Sequence, residues 1–210
     1  MTGATGYVGR RLVSTLLERG HMVRVLVRDP SRAKFPPECD VIAGNALDRR
    51  TFEPHIAPAD TLVHLVGTPH PSPAKAAEFR RVDLVSIQEA VPAAVAAGVR
   101  HFVYVSVAHP APVMEAYIAV RSEGEALLRA SGLSATILRP WYILGPGHRW
   151  PVFLLPLYWI MERLPPTREG ARRLGLVTIE QFVATLVRVI EEGGQGIRIV
   201  EVPEIRSVDG

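Results

Sequence analysis

The chain has 210 residues and a mass of 23.0 kDa, with 48% hydrophobic and 21% charged residues. That is enough apolar material for one domain with a substantial core, and too much for a disordered or low-complexity chain. Lys and Arg number 24 against 21 Asp and Glu, a formal charge of +3, and the basic residues cluster no further than pairs such as Arg10-Arg11 and Arg172-Arg173, so no nucleic-acid partner is expected.

Cys39 stands alone, which excludes a disulfide framework and a thiolate metal site and points to a reducing cytoplasm. No signal peptide is expected, because Arg10 and Arg11 interrupt the opening before an apolar region accumulates. The most apolar run, Trp150 to Met161, carries two prolines and falls short of the ~20 residues needed to span a bilayer.

Strand-like and helix-like segments alternate, which predicts a doubly wound α/β fold with a parallel sheet covered on both faces. Val8, Leu12, Val13, Leu16 and Leu17 recur at helical spacing over 7–19, with Gly20 placed to stop the helix. Strands are predicted over 22–27, 41–43 and 62–66, the last continuously apolar and so buried on both faces. A long helix over 74–97 should bend near Pro92, where a backbone donor is lost. A strand over 102–107, a helix over 114–130 and a strand over 135–138 follow. Residues 141–175, rich in Trp, Pro and Arg, break the alternation and read as an irregular lid or pocket wall. A helix over 179–191 and a strand over 197–202 close the chain, giving a core at 1–140 and a substrate or lid region at 141–210 within one integrated domain.

The clearest motif is Thr2-Gly3-Ala4-Thr5-Gly6-Tyr7-Val8-Gly9, with glycines three apart and a helix directly after it. Glycines there allow a tight turn, close approach of the backbone to a pyrophosphate, and helix-to-sheet packing, while the helix N-terminus supplies free N–H groups and a positive dipole end. The strand over 22–27 ends at Arg28, about 20 residues past the loop, where an acidic residue would hold an NAD ribose and a basic one a 2′-phosphate. Arg28, with Arg32 nearby, favours NADP(H) over NAD(H), since a guanidinium can bind phosphate bidentately. The competing reading leaves Arg28 in solvent and gives the ribose to Asp29.

These residues resemble the short-chain dehydrogenase/reductase superfamily, and more narrowly its atypical NAD(P)-binding, Rossmann-like branch, with NmrA-like proteins and the NADPH-holding accessory subunit of respiratory complex I. The resemblance covers about residues 2–147. It rests on the glycine loop, Val27-Arg28-Asp29-Pro30, Gly44-Asn45-Ala46-Leu47-Asp48, the segment Gly98 to Ser106, and the segment Thr136 to Gly147. It implies that Gly3, Thr5, Gly6, Tyr7, Val8 and Gly9 line the cofactor, that Asn45 and Ala46 lie against the adenine, that Val66, Gly67 and Thr68 pass the adenosine ribose, and that Pro140 sits near the nicotinamide. Asn45 is equally suited to stabilising a turn.

In active members a Ser, a Tyr and a Lys four residues after the Tyr assist hydride transfer, the Tyr moving the proton with its phenol pKa pulled down by the cation. Ser106, Tyr117 and Arg121 stand at those positions. Arg121 departs from the pattern, because its planar fork does not replace an ammonium that reaches two ribose hydroxyls. The alternative makes Tyr117 a half-buried helix residue, Ser106 a strand end and Arg121 a cofactor contact alone. Trp141, Tyr142, His148 and Trp150 are candidate substrate residues. The run 150–161 reads as an apolar pocket wall, a peripheral membrane or partner-subunit contact, or a helix completing the core. His64 and His101 fall on strands and read as core or strand-edge residues, and no histidine or carboxylate spacing suggests a metal.

The sequence thus predicts an oxidoreductase transferring hydride between NADP(H) and a small apolar carbonyl compound. The alternatives are a non-catalytic NAD(P)H-binding sensor or accessory subunit and, third, a nucleotide-sugar epimerase or dehydratase. One irregularity stands against the ordinary form of the fold. Only Met1 precedes Thr2, whereas such a loop follows a strand of ~5–6 residues, so the first strand is expected to be missing and the sheet to gap beside the phosphate loop.

Overall fold

Runs of apolar residues at successive strand positions must bury both faces of a sheet, and the helices meet that demand. In the computed structural model, which describes residues 1–146 and 168–208, the elements are α1 (Tyr7–Glu18), β1 (Arg24–Val27), β2 (Asp40–Ala43), β3 (Thr61–His64), a π-helical stretch (Phe79–Leu84) running into α2 (Val85–Ala96), β4 (His101–Val105), α3 (Glu115–Ala130), β5 (Ala135–Arg139), β6 (Tyr142–Leu144), α4 (Arg168–Arg173), β7 (Leu176–Thr178), α5 (Ile179–Glu192), β8 (Ile197–Glu201) and α6 (Val202–Arg206). On β4, Val103 packs into a cluster with Leu12, Leu16, Phe182 and Leu186 of α1 and α5, while Phe102 and Tyr104 point the other way, to Ile87, Val120 and Leu128 of α2 and α3. This is the doubly wound α/β arrangement with a helical layer on each face.

Every strand pair is parallel, in a four-stranded sheet ordered β3-β4-β5-β8 and a two-stranded sheet β1-β2. Met1 and Thr2 link the two. Met1 donates its amino group to the Arg24 carbonyl (2.6 Å) and accepts from the Leu26 N–H (2.9 Å). Thr2 donates to the Val63 carbonyl (3.0 Å) and accepts from the Leu65 N–H (3.1 Å). Met1 and Thr2 therefore stand between β1 and β3, in the order β2-β1-(Met1-Thr2)-β3-β4-β5-β8. Below them, between β1 and β3, lies a cleft of about 1050 Å³.

Two local expectations are revised. The helical irregularity falls on Phe79–Leu84, one stretch before Pro92, which lies inside a continuous α2. The wider π-type turn carries Phe79 and Asp83, both buried. Within the segment read as irregular, Tyr142–Leu144 pairs in parallel with Leu176–Thr178, a ladder too short to show a period in the sequence. Among the described residues no helix is long and apolar enough to cross a membrane.

Candidate functional site

Because all the strands run the same way, their C-terminal ends share one edge, and the strand order reverses between Met1-Thr2 and β3. In open α/β sheets that reversal opens the crevice where ligands bind. The glycine loop crosses it. Gly3 has φ of +73°, and a Cβ there would lie 2.6 Å from the Leu65 carbonyl carbon. A Cβ on Gly9 would come within 2.5 Å of the Gly3 carbonyl oxygen and 2.6 Å of the Ala4 Cα, so α1 packs against its own loop only with glycine there. Gly6 caps α1 with no side-chain hydrogen bond, which leaves first-turn N–H groups open to an anion beside exposed Thr5. Tyr7 and Val8 are half-buried against the core, and Arg11 lies 4.6 Å over the Tyr7 ring.

At the end of β1, Arg28 is exposed and makes no hydrogen bond or ion pair with a described residue, and Arg32 is likewise exposed. Asp29 is occupied: its Oδ1 accepts from the Ser31 N–H (3.0 Å) and the Ser31 hydroxyl (2.6 Å), capping the next turn. Past β2, Asn45 is exposed and its Oδ1 accepts from the Leu47 N–H (3.1 Å). Its side chain therefore holds a turn, with Ala46 half-buried beside it.

The ends of β3 and β4 are built from side chains instead. Arg121, 4% exposed, forms an ion pair with Asp83 (2.6 Å) and donates to the carbonyls of Val105 (2.9 Å) and Val66 (3.3 Å). Asp83 Oδ2 accepts from the Thr68 N–H (3.0 Å) and hydroxyl (2.6 Å). A Cβ on Gly67 would collide with Arg121 Nη2, so that glycine admits the guanidinium. The Tyr117 ring lies 5.1 Å from Arg121 Cζ and 4.9 Å from the Phe79 ring. Burial opposes the Arg121 charge, but Tyr117, Tyr104 and Asp83 outweigh it and hold the pKa above its ordinary value.

Ser106 is bonded to a different group. Its hydroxyl donates to Glu125 (2.7 Å), which also accepts two bonds from Arg139, 2.9 Å from Nε and 2.5 Å from Nη2. Glu125 is 1% exposed. Burial by itself raises its pKa, yet the bonds from Arg139 and Ser106 hold it below the usual carboxylate value. A third buried chain runs from Thr2 through His64 to Ser86, with the Thr2 hydroxyl 2.9 Å from Nδ1 and Nε2 3.1 Å from the Ser86 oxygen. Since Ser86 donates to the Asp83 carbonyl, it accepts from Nε2–H, and Thr2 donates to Nδ1. Burial pushes the His64 pKa down to about 3. His101 is bonded to Thr136 (2.9 Å), so both strand histidines are core residues.

Pro140 is buried, and its carbonyl accepts from the Ala108 N–H (3.0 Å). Trp141 is half-buried against the core and Tyr142 opens β6. His148, Trp150 and the run 150–161 lie outside the described residues. The structure thus gathers Tyr117, Arg121, Val66, Gly67 and Thr68 into one network and ties Ser106 into another. Asp83 and Glu125 were not singled out in the sequence. Asp83 gives no local signal there, and Glu125 gives only its spacing of four from Arg121 on one helix face.

The sequence profile of a family described as NAD(P)H-binding matches residues 3–148. A ceramide reductase of Caulobacter vibrioides is 33% identical over 98% of this chain, and the chain spans 64% of that relative's length. A 3-diazoavenalumate denitrifying reductase of a Streptomyces species is 30% identical over 93% of this chain and 73% of the relative. The Bordetella bronchiseptica enzyme WbmH in complex with NAD+ superposes with a TM-score of 0.71 at 23% identity, over 95% of this chain and 73% of the other, a likeness of fold.

Proposed function

The chain belongs to the NAD(P)H-binding family, and we propose that it transfers hydride between NADP(H) and a small apolar carbonyl compound. The observation that carries this reading is the Tyr117 ring 5.1 Å from the Arg121 guanidinium carbon, with Arg121 bonded to the strand-end carbonyls of Val66 and Val105 beside the glycine loop. Tyr117 thus stands against a side chain fixed in the interior and carries a phenol, a group able to exchange a proton with a carbonyl oxygen. The bound dinucleotide supplies the hydride. The protein's part is to hold the pyrophosphate on the Gly3–Gly9 loop and to move a proton at the Tyr117 oxygen. Ser106 has its one hydroxyl proton on Glu125 and enters the scheme only by exchanging that partner for the substrate oxygen. The proton step is therefore assigned to Tyr117, with Arg121 acting through it.

NADP(H) is favoured because the exposed Arg28 side chain has no partner among the described residues, while Asp29 gives its Oδ1 to both Ser31 bonds. Arg28→Ala should weaken NADPH binding about tenfold or more and leave NADH binding nearly unchanged, by fluorescence titration; equal loss for both cofactors would assign Arg28 to the pyrophosphate. Apolar substrates are supported by the name of the ceramide reductase relative and by half-buried Trp141 and Tyr142 next to Pro140. NADPH oxidation followed against a panel of carbonyl and quinone compounds tests turnover, and Tyr117→Phe should lower it at least a hundredfold with cofactor affinity retained. A second reading, an NAD(P)H-holding sensor or accessory subunit, is favoured by the full commitment of Arg121 to the interior. Tight NADPH binding with no oxidation by any compound would select it.

A further inference from the structure

A buried path of side chains joins the glycine loop to Tyr117. The Thr2 hydroxyl donates to His64 Nδ1 (2.9 Å), and His64 Nε2–H donates to the Ser86 oxygen (3.1 Å). Ser86 in turn donates to the Asp83 carbonyl (2.9 Å), and the Asp83 carboxylate holds Arg121 (2.6 Å) against the Tyr117 ring. Thr2, His64, Ser86, Asp83 and Arg121 are all buried, so bulk water does not compete for these bonds.

The backbone bonds of Thr2 end at β3. Its hydroxyl carries the connection onward, through His64, to the π-type turn that bears Asp83 and to α3, which bears Arg121 and Tyr117. The middle of that path needs an acceptor toward Thr2 and a donor toward Ser86, and a neutral imidazole has one on each edge. The His64 ring packs beside Phe102 and Tyr104 of β4, with centroids 6.2 and 6.0 Å away, which holds its tilt. Burial first, and then the charge of Arg121, keep it neutral, with a pKa of about 3.

We propose that His64 is a positioning residue, which ties the set of the phosphate cradle at Thr2 to the set of Tyr117 through Ser86, Asp83 and Arg121. Seating the pyrophosphate and placing the phenol then depend on one path. The cradle half rests on cofactor binding by the loop, and the Tyr117 half rests on the hydride-transfer reading. Thr2→Val and Ser86→Ala each remove one hydroxyl with little change of shape, and they cut the path on opposite sides of His64.

In NADPH fluorescence titration each single variant should bind about threefold to tenfold more weakly, Ser86→Ala included although it lies outside the loop. The double variant should bind no more weakly than the worse single one, because the path is already cut. Losses that multiply in the double variant would overturn the proposal, as would unchanged NADPH affinity in Ser86→Ala. At saturating NADPH, with the best compound of the carbonyl panel, Thr2→Val should lower kcat about threefold or more. Thr2→Ser, which keeps the hydroxyl, should recover affinity and kcat to within about twofold. Equal losses in Thr2→Val and Thr2→Ser, or a Thr2→Val change confined to KM, would assign Thr2 to the loop alone and overturn the proposal. A chain that oxidises no NADPH would end the hydride-transfer reading, while the titration cycle would still decide whether the path exists.

Discussion

The two sides of the crevice are built by different means. On the side of α1, β1 and β2 the surface proposed to face the cofactor is mostly backbone, with glycines at a positive φ or in close contact and open N–H groups of a helix, beside the exposed side chains of Arg28 and Asn45. On the side of β3, β4 and β5 it is held by buried charge, with Asp83 paired to Arg121 and Glu125 to Arg139. A loop of backbone N–H groups suits the pyrophosphate that every dinucleotide shares. A buried ionic scaffold fixes individual side chains, and that is where specificity and proton transfer require rigidity.

The comparison breaks first at Arg121, if it breaks. Arg121→Met strands Asp83 in the interior with only Thr68 as partner, a loss that typically costs about 3–5 kcal/mol. Urea unfolding of this variant should show that drop. Adding Asp83→Asn, which keeps an acceptor for Thr68 and removes the uncompensated charge, should recover much of it. A cost below about 1 kcal/mol for Arg121→Met would mean that the guanidinium spends its time elsewhere, and both sides of the crevice would then be loosely built.

The contrast also explains what the sequence disclosed. The glycine loop, its helix and the strand ending at Arg28 are contiguous, and each requires particular residue types, so the cradle and the α/β order were legible. Asp83 and Arg121 lie 38 residues apart, Glu125 and Ser106 lie 19 apart, and the Thr2–His64 bond spans 62. No local pattern announces such pairs. Ser106 ends a strand where a polarising serine is expected, yet nothing in its neighbourhood shows that Glu125 accepts its hydroxyl hydrogen bond. The π-type turn that carries Asp83 reads in sequence as ordinary helix.

The next effect in size is acid sensitivity on the scaffold side. His64 is neutral in the fold, with its pKa at about 3, and about 6.5 when unfolded. Between those values the unfolded chain binds the extra proton, so stability is fully present above about pH 6.5 and is lost as pH falls. The slope approaches one proton, about 1.4 kcal/mol per pH unit, or about 2–3 kcal/mol between pH 6.5 and 4.5. His101 and His109, whose pKa values burial also lowers, contribute in the same direction. Unfolding followed by urea across this range should therefore show His64→Gln reducing the slope by about one proton, and an unchanged slope would place water beside His64.

The smallest effect belongs to the cradle side and sharpens the contrast. Asn45 is exposed and its side-chain oxygen serves the Leu47 N–H. Asn45→Ala should cost no more than about 1 kcal/mol in urea unfolding, the range for one exposed turn bond. The Asn45 N–H is bonded to the Thr51 hydroxyl (2.9 Å), and that hydroxyl also donates to the Asp48 carbonyl (2.7 Å). The turn is thus pinned by a second residue and keeps its backbone in place when the side chain goes. If only the turn's backbone lies against the cofactor, NADPH affinity should fall less than about threefold. A tenfold loss would instead mean that the Asn45 amide reads the adenine edge directly, and the cradle would then depend on a side chain as the opposite wall does.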